Sequence, residues 1–88
     1  MTNNYIIAFS SFYKAAYAQE KLSEGGIRTI ARRLPPEVLH TCGYALTLKT
    51  DSQKIRNAVS ILEKSEITHR GIFIEHEENG KTIYKRVV

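Results

Sequence analysis

The sequence predicts an α+β protein: a ferredoxin-like β-α-β-β-α-β sandwich with a C-terminal β-hairpin extension. Three observations predict it. Short apolar, β-branched runs alternate with two amphipathic helical patterns in that order. Each crossover between strands holds one helix of suitable length. An Asn79-Gly80 pair, the strongest short hairpin signal, stands near the end of the chain.

Tyr5-Ile6-Ile7-Ala8-Phe9 is a continuous apolar run, so it reads as a strand buried on both faces and central in the sheet. Ser10 or Ser11 can N-cap the helix that follows. Phe12, Ala15, Ala18 or Gln19, and Leu22 recur at helical spacing, and Gly25-Gly26 stops the pattern, which predicts a helix over 12–24. Ile27 to Leu34 reads as a second strand closed by Pro35-Pro36, and Tyr44 to Lys49 as a third with one solvated face in its second half. Asp51 or Ser52 is the next cap; Ile55, Ala58, Val59 and Leu62 then trace the clearest helical stripe in the chain. Gly71 to Glu75 predicts the fourth strand and Thr82 to Val88 the last.

Length and composition bound the rest. Eighty-eight residues make one domain, 1–88, with a modest core and no room for a large internal cavity. Thirteen Lys+Arg against nine Asp+Glu leave a net charge of +4, ordinary for a soluble domain. The single cysteine, Cys42, excludes an internal disulfide framework and a paired-cysteine zinc or redox site. No apolar stretch is long enough to span a bilayer, and the N-terminus lacks a signal-peptide pattern, so the expected place is the cytoplasm.

The connection between the second and third strands is oversized. A hairpin needs about two to five residues, whereas nine intervene here, from Pro35 to Gly43. Either proline fits the first turn of a short helix, with Glu37 suited to its positive end. Gly43 allows a positive φ or the close approach of a partner's backbone. Cys42 on this connection is a candidate nucleophile or carrier thiol; cations lower a thiol's pKa, and His40 lies two residues upstream while Arg32 and Arg33 end the strand before the connection. The competing reading is a buried cysteine that fills space.

Phe9, Ser11, Ala15, Ala18, Leu22, Gly26 and Ile27, followed by a proline-containing connection into Cys42-Gly43, resemble the selenium/sulfur carrier-like family over about residues 5–50. Pro35, Cys42 and Gly43 carry over directly. The chain departs from the pattern at Arg33-Leu34-Pro35-Pro36, where the family has Pro-x-Pro-Arg, at Leu39 in place of a usual Ser, and at Gln19 in place of a common Glu. The resemblance implies that Cys42 carries sulfur or selenium as a persulfide or selenosulfide. It implies donor and acceptor proteins as partners and requires no cofactor.

Other classes have less support. His40, His69 and His76 lie on different elements and form no close ligand pair, so no metal site is expected; His69 and His76 read as solvated. No paired carboxylates, phosphate loop or Ser/His/Asp set argues for an enzyme. The alternative is a binding module for a protein or, weakly, for nucleic acid. Arg28, Arg32, Arg33, Lys49, Lys81, Lys85 and Arg86 could form a basic patch with Tyr5, Tyr44, Phe73 and Tyr84, but the third strand lacks the RNA-recognition motif. Tyr13 and Tyr17 are expected to cover the core edge, Glu75, Glu77 and Glu78 to be solvated, and an open sheet edge could pair two copies.

Overall fold

The computed structural model describes residues 2–35 and 43–87. The elements are β1 (Asn3–Phe9), α1 (Phe12–Glu24), β2 (Ile30–Arg33), β3 (Tyr44–Thr50), α2 (Ser52–Lys64), β4 (Ile72–Glu78) and β5 (Lys81–Arg86). They form one sheet of order β2-β3-β1-β4-β5, every neighbour antiparallel. Each β-α-β unit therefore spans a strand of the other, which is the ferredoxin-like α+β arrangement predicted, and β5 extends it.

β1 occupies the centre because Tyr5 to Phe9 are all buried. Alternation sends Tyr5, Ile7 and Phe9 to the helices, where they meet Ala15, Ala18 and Leu22 of α1 and Ile55, Ala58 and Leu62 of α2. The three alanines let the helices lie close to the strands. Ile6 and Ala8 point the other way and join Ala45, Phe73 and Leu34 in a second, smaller apolar cluster on the helix-free face. Tyr84 packs against that cluster, and the Arg86 guanidinium lies 5.9 Å from the centre of the Phe73 ring.

Both helices begin and end alike. Ser11 accepts the Lys14 N–H at 3.2 Å, and Asp51 accepts the Lys54 N–H at 2.8 Å. At the C-termini the N–H of Ile27 donates to the Leu22 carbonyl, and that of Ile67 to the Leu62 carbonyl. These bonds close two Schellman caps whose Leu-Ile pairs enter the core. The left-handed residue of each cap is Gly26 at φ 82° in the first and Glu66 at φ 57° in the second.

The first cap explains a correction. Ile27 to Leu34 was expected as one strand, but β2 covers only Ile30–Arg33. Ile27 is buried as the apolar residue of the cap, which keeps it out of the ladder. The Asn79-Gly80 turn follows expectation: both residues have positive φ, and β4 continues to Glu78 because β5 pairs with it. Tyr13 and Tyr17 do not cover the core; they are exposed, as is most of Phe12.

Glu66 holds a conformation that disfavours a side chain, at roughly 1–2 kcal/mol for an L-residue. Glu66→Gly is expected to raise the unfolding free energy by about 0.5–1 kcal/mol, after allowing for the freer unfolded chain. Urea denaturation measures this; an unchanged or lower midpoint contradicts it.

Candidate functional site

One end of the sheet gathers the chain segments around the site predicted from sequence. The C-terminus of β1 meets the start of β3 there, with Phe9 opposite Tyr44. Arg70 and Gly71 prolong β4 along the same end: the Arg70 N–H donates to the Ala8 carbonyl at 2.7 Å, and the Ala8 N–H to the Gly71 carbonyl at 3.0 Å. The N-terminus of α1 starts three residues beyond Phe9, and the Lys14 ammonium donates to the Thr68 hydroxyl at 2.8 Å, tying α1 to the segment after α2.

The connection from β2 to β3 is anchored at this end. The Leu34 N–H donates to the Gly43 carbonyl at 3.0 Å, one step beyond the Arg33–Tyr44 pair. Leu34 and Pro35 are buried, so the chain enters the connection against the sheet. Gly43 has no positive φ; its need is space. A Cβ there would stand 2.6 Å from the Phe9 carbonyl oxygen. The close approach expected at Gly43 is thus made by the chain's own β1.

Cys42 and His40 lie outside the described residues. Arg32 and Arg33 are both exposed and, as neighbours on a strand, point to opposite faces. Arg33 shares the helix side with Tyr44, opposite it in the register, while Arg32 lies opposite Ala45 on the helix-free face. The two arginines therefore do not act as one cluster. Beside Gly43, the Tyr44 ring meets Phe12 edge-on at 5.3 Å, and Phe12 meets Tyr13 at 6.1 Å. Phe12 is 51% and Tyr13 84% exposed, an aromatic patch at the anchored end. Helical periodicity hid it, because Phe12 fits the apolar stripe in sequence.

His69 was expected to be solvated and is instead half-buried. Its Nδ1 accepts the Gly71 N–H at 3.0 Å, which requires that nitrogen to be unprotonated. Burial lowers its pKa from the ordinary 6.5, and the Arg86 guanidinium lowers it further, against an opposing pull from Glu63. His76 is exposed at the hairpin and 3.4 Å from Glu78. Among the described residues no group of three or more His, Cys, Asp or Glu could hold a metal ion. No helix among them is long and apolar enough to cross a membrane.

Two predictions follow from these contacts. Gly43→Ala should destabilise the fold by about 1–3 kcal/mol, since the methyl group meets a backbone carbonyl rather than a flexible side chain; a thermal midpoint equal to wild type contradicts this. For His69, the unfolded chain binds the proton more readily than the folded one. Its contribution is complete above about pH 6.5 and is lost as pH falls through the lowered folded value. The unfolding free energy should therefore decline on acidification from about pH 6.5 to 5, and less so in His69→Asn, which offers Gly71 a non-titrating acceptor. Parallel pH profiles for the two proteins count against the assignment.

The family model described as Putative Se/S carrier protein-like matches residues 4–74. The match begins in β1, includes Cys42 and ends within β4, so β5 falls outside it. No curated protein and no solved structure gives a significant match.

Proposed function

The chain belongs to the Se/S carrier protein-like family, and from that premise we propose that Cys42 is a carrier thiol for sulfur or selenium. The observation that carries the reading is the span of the family match, which takes in the chain's one cysteine. The chemistry needs a single ionisable thiol and no second cysteine. The Cys42 thiolate attacks the outer sulfur of a donor's persulfide, R–S–SH. A sulfur–sulfur bond forms on Cys42, the donor's sulfur–sulfur bond breaks, and its electron pair leaves with the donor thiolate. No external oxidant or reductant enters, because the sulfane sulfur moves at constant oxidation level. A thiolate on an acceptor repeats the exchange and returns Cys42 as a thiolate; selenium would move likewise as a selenosulfide.

Two structural features support this reading. The connection that bears Cys42 is anchored at Leu34 and Gly43 to the end of the sheet. Phe12 and Tyr13 lie beside Tyr44 at that end, exposed aromatic surface of the kind that protein interfaces favour. A donor or acceptor protein seated there would be next to the segment that carries the thiol. Arg33 is the cation of the predicted pair that shares a face with Tyr44, and it is the better candidate to favour the thiolate.

Incubation with a protein persulfide donor should add the mass of one sulfur atom to the wild-type chain, and Cys42→Ser should take up none. Dithiothreitol should remove the increment. A wild-type chain that never acquires it, or a Cys42→Ser variant that acquires it equally, ends the carrier reading.

A further inference from the structure

We propose that the groove on the helix-free face, between β1, β3 and β2, docks an extended acidic and aliphatic segment of a partner protein. Two open grooves of about 280 and 310 Å³ meet at Leu48 and Lys49. The first lies over Ile6, Ile30, Arg32 and Thr47; the second runs around the end of the sheet past Arg28 and Lys54. The two share Leu48 and Lys49 as lining residues, and the first is the groove on the helix-free face.

Its charge is one-sided. Among the described residues the side chains of Arg28, Arg32, Lys49 and Lys54 make no ion pair, and Glu75 is the single acidic residue lining either groove. Glu75 makes no ion pair with Lys49. Both lie opposite Asn4, on the strands either side of β1, so roughly 9–10 Å of sheet separates the two chains. Four cations against one carboxylate among the described residues that line the two grooves favour an anionic occupant.

The floor decides which anion. Ile30 is 70% exposed on the same face as Ile6, with Thr47 between them, a place for an aliphatic side chain. No aromatic ring is exposed along either groove: Tyr5 is buried towards the helices, and Phe73 lies under Arg86. Single-stranded nucleic acid lacks the stacking rings it would use. Carboxylates alternating with aliphatic side chains match both features.

The edge of β2 favours an extended occupant. The Leu34–Gly43 bond fixes the alternation of the ladder, so Ile30 and Arg32 bond to β3 while Ala31 and Arg33 turn their N–H and C=O groups outward. The carbonyl of Thr29 is already taken by the Gln19 side-chain amide at 3.0 Å. The two remaining outward residues can pair with an added strand, which would lie beside β2 at the rim of the groove with its side chains on the helix-free face next to Ile30 and Arg32. The Lys49 end of this surface stands about 20 Å along β3 from Gly43, whereas Arg32, opposite Ala45, lies within two residues of the Leu34–Gly43 anchor.

The test is fluorescence anisotropy with the full chain and a labelled octapeptide, Asp-Leu-Glu-Val-Asp-Leu-Glu-Val. The proposal expects binding that weakens with salt and falls at least about tenfold in Arg32→Glu/Lys49→Glu. Ile30→Ser should weaken it severalfold without a change in charge, and Cys42→Ser should leave it intact. Circular dichroism checks that each variant is folded. Absent binding, equal binding of a Lys-Leu-Lys-Val-Lys-Leu-Lys-Val control, or unchanged affinity in Arg32→Glu/Lys49→Glu overturns the proposal. Tighter binding of oligouridylate, or salt-sensitive self-association that excludes the peptide, overturns it in favour of RNA or a second copy.

Discussion

The structure depends on β1 being satisfied on all four sides. Its edges pair with β3 and β4, and its two faces feed two apolar clusters. A strand so placed cannot slip: a one-residue shift would send Tyr5, Ile7 and Phe9 to the wrong face and unpair both ladders at once. The connections inherit this constraint. Phe9 delivers the chain to the Ser11 cap of α1, and the Phe9 carbonyl leaves space at Gly43 only for a hydrogen.

The second organising feature is repetition of a half. α1 and α2 carry equivalent caps at both ends, and each cap sends a leucine and an isoleucine into the same core. The halves then diverge. After α1 the chain reaches the open edge as the short β2, where the Gln19 side-chain amide donates to the Thr29 carbonyl. After α2 the chain passes beside β1, where His69 and Arg70 are tied to the end of the sheet, and β5 shields the far edge of β4. The basic groove runs from the far end of β3 at Lys49 towards Arg32, which stands two residues before the Leu34–Gly43 anchor.

Much of this was legible in the residues. The run Tyr5–Phe9 marked the central strand, Ser11 and Asp51 were among the predicted caps, and α1 begins and ends where its periodicity does. The errors share a cause. Ile27, Phe12 and His69 were each read by residue type and spacing, whereas each is placed by a specific contact that periodicity does not register. Ile27 serves a cap instead of a strand, Phe12 leans on Tyr44 instead of entering the core, and His69 accepts a backbone N–H. The basic patch was overdrawn for a similar reason. The register puts Arg32 and Lys49 on the helix-free face and Lys85 opposite Ile74 on the other.

By itself the sequence determined the order of elements, the α+β class and the one residue able to carry a thiol, because periodicity, capping chemistry and composition are local properties. Tertiary structure alone decided that Arg32 and Arg33 face apart, that Gly43 answers to Phe9, and that Arg32 and Lys49 line one groove while Arg28 and Lys54 line its neighbour. Those relations hold between residues on different strands and helices. Only the pairing register and the packing of the sheet bring them together.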